Sequence, residues 1–162
     1  MLSIGDQAPA FTLKNQNDKD VSLDDFKGSR LLIWFYPKAS TGGCTKEGIS
    51  IRDEFKTFAK HNIEVVGISK DSVKAQFNFW EKNNFPYDLL SNVDLDIIKS
   101  YHAWGLKKMY GKEYEGIMRI SYLVDANGII EKVYSKVKTA THAMDVIESL
   151  DCLLYTSPSP RD

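Results

Sequence analysis

Residues 30–44 read Arg30-Leu-Leu-Ile-Trp-Phe-Tyr-Pro-Lys-Ala-Ser-Thr-Gly-Gly-Cys44, and this stretch decides the fold. Its apolar run, bounded by Gly28 and Pro37, is typical of a strand buried on both faces of a sheet. A loop with two glycines follows, and a helical pattern starts at Cys44. The stretch therefore predicts a strand–loop–helix unit that places one cysteine at the N-terminus of a helix.

Periodicity outward from this unit predicts the remaining elements. Apolar residues recur at helical spacing from Ile51 to Ala59, and Asn62 is a plausible end of that helix. Asp125-Ala-Asn-Gly128 between two apolar runs predicts a β-hairpin. The order of elements predicts an α/β fold with a mixed β-sheet flanked by helices. The other expected elements are strands at 10–13, 21–23, 63–69, 89–90, 119–124 and 129–134, helices at 72–83 and 94–101, an ordered loop at 103–117, and a closing helix capped by Thr139 or Thr141.

The chain has 162 residues, which fits one domain, and we expect that domain to span residues 1–150. The helical pattern before Leu150 gives way to a Ser/Pro-rich ending. Such an ending is typical of a non-native or disordered tail, so residues 151–162 are left out of the expected fold.

Composition excludes several classes of protein. Hydrophobic residues make up 43% and charged residues 27%, which is ordinary for a soluble globular domain. Lys and Arg total 21 against 22 Asp and Glu, so no broad basic surface for nucleic acid is expected. The longest apolar run, residues 31–36, is far shorter than the ~20 residues that span a bilayer. With no leader pattern and only two cysteines, we expect a cytoplasmic protein in a reducing compartment.

Cys44 is the candidate nucleophile. Unpaired backbone N–H groups and the helix dipole favour an anion at the start of a helix, so the sequence predicts a thiolate there. The alternative is a buried, inert cysteine that serves as a small apolar side chain.

The neighbours of Cys44 favour the reactive interpretation. Pro37, Thr41 and Cys44 form a Pro-x-x-x-Thr-x-x-Cys pattern that resembles the peroxiredoxin active-site motif. The likeness extends over residues 3–150 and is strongest to the bacterioferritin-comigratory-protein group, also called PrxQ. The further matching segments are Gly5-Asp6, Pro9-Ala-Phe11, Tyr36-Pro-Lys, Arg52-Asp53, Gly67-Ile-Ser69, Trp104-Gly, Gly111-Lys, Gly116-Ile-Met-Arg119 and Asp125-x-x-Gly128.

The resemblance implies a thioredoxin-like fold and a thiol-dependent peroxidase that needs no cofactor. Cys44 would attack hydrogen peroxide or an organic hydroperoxide and become a sulfenic acid, which an external thiol such as thioredoxin reduces. Thr41 and Arg119 match the groups that stabilise the leaving oxygen, and Pro37 matches the proline that shields the thiolate. Glu47, one turn after Cys44, is a possible support for the guanidinium. Members of this group are often monomeric, so a monomer is expected.

Each of these residues also has a purely structural interpretation. Thr41 could be only a helix cap, and Arg119 only a charge at the end of a strand. Pro37 could simply end the strand. Glu47 in a first helical turn is favoured by the helix dipole in any case.

The sequence departs from the resembled group at two positions. Gly42 stands where proline is usual, which removes no chemistry. Ile49 stands where many members carry a resolving cysteine, so a sulfenic acid on Cys44 has no local thiol partner. Cys152, 108 positions from Cys44 in the suspect tail, is an unlikely replacement, and we expect one-cysteine behaviour.

Other functions find less support in the sequence. A thioredoxin-like disulfide exchanger would need a second cysteine where Thr41 stands, and a Cys/His hydrolase would need a histidine beside Cys44. A non-catalytic or chaperone-like relative stays possible because the resolving cysteine is absent. His61, His102 and His142 lack ligand spacing and are expected at surfaces or helix ends, so no metal site is predicted.

Overall fold

The computed structural model describes residues 1–156, apart from the side chains of Met109 and residues 151–156. Seven strands form one sheet in the order β2-β1-β5-β4-β3-β8-β9, and β6 pairs with β7 in a separate hairpin. The strands are β1 (Thr12–Lys14), β2 (Asp20–Ser22), β3 (Arg30–Phe35), β4 (Ile63–Ser69), β5 (Asp88–Ser91), β6 (Trp104–Met109), β7 (Lys112–Ile117), β8 (Ser121–Val124) and β9 (Ile130–Tyr134). The helices are α1 (Gly42–Asp53), α2 (Phe55–Lys60), α3 (Val73–Asn83), α4 (Asp96–Ser100) and α5 (His142–Thr156).

Strand β3 lies inside the sheet, between β4 and β8. It runs parallel to β4 and antiparallel to β8, so the sheet is mixed, as predicted. Leu32, Trp34 and Tyr36 point into one apolar cluster, and the residues between them point into a second cluster on the other face. This period of two buries the strand on both sides. Cys44, with the apolar residues of α1 and α5, lies in the first cluster.

Residues 103–117 form a hairpin, so the expected loop was wrong. Strands β6 and β7 pair antiparallel through a two-residue turn in which Tyr110 and Gly111 both have positive φ. That geometry suits the right-handed twist of a hairpin, but it is signalled in sequences by Asn-Gly or Asp-Gly rather than by Tyr-Gly. Glu113, Tyr114 and Glu115 of β7 are exposed, so the strand lacks the apolar alternation that would have revealed it.

The first helix also differs from its prediction, because it breaks at Glu54 into α1 and α2. The N–H of Glu54 donates to the carbonyl of Ile51, which tightens the chain into a turn of the 3₁₀ type. The second segment then places Phe58 in the core and Phe55 next to Tyr87.

Helix α5 continues to Thr156, six residues beyond the boundary expected at residue 150. Residues 151–156 contain neither Gly nor Pro, and the first helix-breaking residue is Pro158. Residues 157–162, which hold the Ser/Pro part of the expected tail, lie outside the described residues. No helix within residues 1–156 is both long enough and apolar enough to cross a bilayer.

Candidate active site

Cys44 lies in the first turn of α1 and is a free, fully buried thiol. The preceding Thr41 is the N-cap of the helix and has extended backbone angles. A Cβ atom on Gly43 would lie 3.2 Å from Nη2 of Arg119, so glycine leaves room for the guanidinium to approach the start of the helix. The local sequence therefore positions both the thiol and the space for its cationic neighbour.

Arg119 joins the two predicted acidic groups of the site. Its Nη2 donates to Sγ of Cys44 at 3.5 Å, and its Nη1 donates to Oε1 of Glu47 at 2.7 Å. Burial lowers the pKa of Arg119, but the negative charges of Cys44 and Glu47 outweigh burial and raise it. The structure thus brings together Cys44, Glu47 and Arg119, and it holds a charged guanidinium against the sulfur.

Glu47 is fully buried, which is unusual for a carboxyl group. Burial raises its pKa from 4.5 to about 7, although the hydrogen bond and the charge of Arg119 both lower it. Its second oxygen, Oε2, has no hydrogen-bond partner among the described residues. Nε2 of His142 lies 3.9 Å from it. One oxygen of this carboxyl group therefore has a hydrogen-bond partner among the described residues, and the other has none.

His142 was not predicted to belong to the site. It begins α5, which agrees with the expectation of a surface position or a helix end, and its side chain is only 1% exposed. Its Nε2 lies 2.8 Å from Oγ of Ser121, and its ring meets the edge of Tyr134. Burial lowers the pKa of His142 from 6.5 to about 4, so the ring is neutral near pH 7.

Thr41 does not cap α1 with its side chain. Its hydroxyl donates to the carbonyl of Lys38 at 2.7 Å, which leaves the oxygen lone pairs available to accept a hydrogen bond from a ligand. Pro37 follows the last buried residue of the β3 run, Tyr36, and is half-buried. Both residues are thus part of the turn that leads into α1.

A buried polar network holds the loop between β3 and α1, and no spacing of residues along the chain indicates it. Oδ2 of Asp71 accepts from the backbone N–H of Ala39 at 2.8 Å and from Oγ of Ser69 at 2.6 Å. Nε2 of Gln76 donates to the same Ser69 hydroxyl at 2.9 Å, and the Tyr36 hydroxyl donates to Oε1 of Gln76 at 2.5 Å. These bonds tie the loop to β4 and α3.

Lys107 is a second cation close to the site that the sequence did not indicate. Its stem crosses Gly116, where an added Cβ would lie 3.2 Å from its Cδ, and its Nζ donates to the carbonyl of Ile117 at 3.0 Å. Burial and then the charge of Arg119 lower its pKa, while the charge of Cys44 raises it. Placing residues 103–117 in a loop hid this position.

Ile49, at the position of the missing resolving cysteine, is half-buried and packs against the apolar cluster that contains Cys44. The next residue, Ser50, accepts the N–H of Ala143 with its hydroxyl at 3.0 Å and so links α1 to the start of α5. The side chain of Cys152 is not described. Among the described residues, no group of three or more His, Cys, Asp or Glu side chains is arranged to hold a metal ion.

A buried cysteine at a helix N-terminus, in contact with a guanidinium on a thioredoxin-like sheet, defines the class of thiol-dependent peroxidases. The AhpC/TSA family model matches residues 4–133, and the chain belongs to this family.

Three relatives agree with this assignment. A Bcp peroxiredoxin of Haemophilus influenzae is 43% identical over 94% of this chain and 98% of its own length. Peroxiredoxin Bcp of Escherichia coli K12 is 43% identical over 87% of this chain and 90% of its own. The solved structure of Xanthomonas campestris bacterioferritin comigratory protein has a TM-score of 0.82 and 34% identity, and the match covers 88% of this chain and 90% of that one. The predicted thioredoxin-like fold and peroxiredoxin resemblance are confirmed.

Glu47 and His142 are buried titratable groups of the site, and their contributions to stability change in opposite directions with pH. Folded His142 has a pKa of about 4 against 6.5 unfolded, so its contribution is complete above pH 6.5 and is lost as the pH falls toward 4. Folded Glu47 has a pKa of about 7 against 4.5 unfolded, so its contribution is complete below pH 4.5 and is lost as the pH rises through 7. We expect His142→Gln to reduce the loss of unfolding free energy between pH 6.5 and 4 by roughly 1–3 kcal/mol. We expect Glu47→Gln to reduce the loss between pH 4.5 and 7 by a similar amount.

Urea unfolding of the wild type and both variants across these two pH windows measures the effect. His61→Gln replaces a histidine whose side chain is partly exposed and serves as the control. Parallel profiles for wild type and both variants would show that neither buried group has the shifted pKa given above.

Proposed function

We propose that this peroxidase reduces hydrogen peroxide and organic hydroperoxides with Cys44 as the attacking group. The Cys44 thiolate attacks the terminal oxygen of R–O–OH, the O–O bond breaks, and the products are Cys44–SOH and an alkoxide that takes a proton from water. For hydrogen peroxide the leaving group is hydroxide. The printed name of the Xanthomonas campestris structure attributes alkyl peroxide reduction to that relative, which supports the organic substrate class.

The observation that carries this proposal is the contact of Arg119 with both Cys44 and Glu47. A guanidinium beside the sulfur favours the thiolate before the attack and the leaving oxygen during it. Glu47 fixes the direction of the guanidinium, because its Oε1 binds one nitrogen while the other faces the sulfur.

Thr41 and Pro37 have supporting roles in the proposed reaction. The Thr41 hydroxyl donates its hydrogen to the carbonyl of Lys38, so it accepts the O–H of the hydroperoxide and does not donate to the leaving oxygen, which is the role that the resemblance implied for it. This orients the substrate with its terminal oxygen toward the sulfur. Pro37 keeps water from the thiolate, since it offers no N–H group to hold water there.

We propose that an external thiol, of which thioredoxin is the leading candidate, closes the cycle. The thiol R′–SH condenses with Cys44–SOH to a mixed disulfide and water, and a second thiol releases Cys44–SH and a disulfide. Such a cycle needs a pool of reduced thiols, so we place the protein in the cytoplasm. Because all the site groups named above come from one chain, we propose that it acts as a monomer.

One-cysteine behaviour is the expected outcome of this cycle. Ile49 cannot form a disulfide, so one equivalent of peroxide should add one oxygen to Cys44, added thiol should remove it, and excess peroxide should give sulfinic and sulfonic acids. Intact-mass measurement after each addition tests the proposal. An unchanged mass after peroxide would contradict the proposed peroxidase chemistry.

Cys152→Ser provides the matched control, because it removes the only other thiol of the chain. We expect its turnover with a small thiol reductant to equal that of the wild type. Recovery of a Cys44–Cys152 peptide as the main product, together with lost turnover in this variant, would instead make Cys152 a resolving cysteine.

A further inference from the structure

A group of buried polar residues lies next to the contact between Glu47 and Arg119. Glu47, Ser121 and His142 are all buried, with exposures of 0%, 0% and 1%. Oε1 of Glu47 is held by Arg119 at 2.7 Å, whereas Oε2 has no hydrogen-bond partner among the described residues. A buried oxygen without a partner is costly, and native structures contain few of them. A nitrogen atom that lies close to this oxygen is therefore of interest.

That atom is Nε2 of His142, 3.9 Å from Oε2 of Glu47 and 2.8 Å from Oγ of Ser121. Both oxygens can accept a hydrogen bond, so the surroundings favour the tautomer that carries its proton on Nε2. A displacement of the ring by about 1 Å toward Glu47 brings Nε2 within the usual hydrogen-bond distance. The ring is thus a neutral donor that faces a carboxylate from the side opposite to the guanidinium.

We propose that His142 is a positioning residue of the peroxidase reaction: its Nε2–H, shared between Ser121 and Glu47, keeps the Glu47 carboxylate ionised and so keeps Arg119 directed at Cys44. The inference rests on the proposed function, since Arg119 acts only if Cys44 is the attacking group. It adds to the site a residue from α5, the helix that follows the last strand of the sheet.

The consequence is a dependence of activity on pH. A protonated Glu47 carboxyl binds a guanidinium less strongly than a carboxylate does, so Arg119 loses its anchor when Glu47 takes up a proton. Burial raises the pKa of Glu47 to about 7, so this change falls near neutral pH. Other groups also act on these residues. The charges of Arg119 and Asp145 act on His142, and the charge of Glu47 acts on Tyr87. The ring of Tyr134 packs against the ring of His142.

The test measures kcat/KM for hydrogen peroxide as a function of pH. In the wild type we expect the rate to fall on the acid side with a midpoint near the Glu47 pKa of about 7. His142→Leu should move that midpoint up by about one pH unit, which lowers the rate at pH 7 about fivefold. His142→Gln, whose amide can donate in place of Nε2–H, should restore the wild-type midpoint.

Two further variants separate positioning from packing. In a Glu47→Gln background position 47 has no carboxyl group to titrate, so the step in the profile that belongs to Glu47 disappears and His142→Leu has no further effect on it. Ser121→Ala removes the competing acceptor and should lower the midpoint. This variant also keeps the test available if His142→Leu does not fold. His61→Leu, at a partly exposed histidine, controls for the loss of an imidazole.

Each result decides the inference. The inference is overturned if His142→Leu has the same midpoint as the wild type, or if it loses rate equally in the Glu47→Gln background. It is also overturned if His142→Gln fails to restore the profile, or if Ser121→Ala raises the midpoint. If the wild type itself does not reduce peroxide, the proposed function fails instead, and this outcome is visible before any variant is compared.

Discussion

Replacement of Cys44 by serine is expected to lower peroxide turnover by a factor on the order of 10⁴ or more, the scale seen when an enzyme loses its nucleophile. A serine hydroxyl is not ionised near neutral pH, and among the described residues the side chain that donates to this position is the cation Arg119, which is not a base. Serine has nearly the shape of cysteine, so the buried site in the first turn of α1 accommodates it. The loss therefore reports chemistry rather than folding.

Peroxide consumption with a small dithiol as reductant measures this effect, and thermal unfolding checks that the variant is folded. Cys152→Ser is the matched control, since it makes the same substitution at the other cysteine of the chain and should leave turnover unchanged. A Cys44→Ser protein as active as the wild type would reject the proposed nucleophile and favour the interpretation of Cys44 as a buried, inert cysteine.

Local patterns were sufficient for the elements that surround the site. The apolar run of β3 and the strand at Ile63–Ser69 were predicted because burial on both faces leaves a continuous hydrophobic segment. The helix start at Ser72 follows from its side chain, which accepts the N–H of Ala75. Such signals are short-range, so a single sequence reveals them.

Contacts between distant residues could be predicted only in part. Arg119 and Cys44 are 75 positions apart, and only the motif resemblance linked them before the structure was known. His142 and Ser121 carried no such signal, because a lone histidine after a threonine has the pattern of an ordinary helix start. The β6–β7 hairpin was missed for a different reason, since exposed strands lack hydrophobic alternation. Packing places these residues, and packing cannot be deduced from the spacing of residues along the chain.

Replacement of Arg119 by methionine is expected to slow peroxide reduction by roughly 10²–10³, the cost of losing one donor that stabilises a developing oxyanion. Methionine keeps much of the stem volume but provides neither the bond to Sγ at 3.5 Å nor the bond to Glu47 at 2.7 Å. Glu47 then loses its cationic partner. Because the pKa of Glu47 is already about 7, it can take up a proton and avoid an unpaired buried charge, so the variant should fold near neutral pH.

Single-turnover peroxide reduction gives the rate, and Arg119→Lys distinguishes charge from geometry. Lysine provides a point charge without the two-pronged donor that contacts Cys44 and Glu47 together, so only part of the rate should return. Arg30→Met is the matched control, because Arg30 makes a similar bond to Glu131 at 2.8 Å from the first residue of β3, away from the Cys44 loop. We expect this control to react at the wild-type rate. Equal rates for Arg119→Met and Arg30→Met would show that the guanidinium beside Cys44 stabilises the fold and does not act in the reaction.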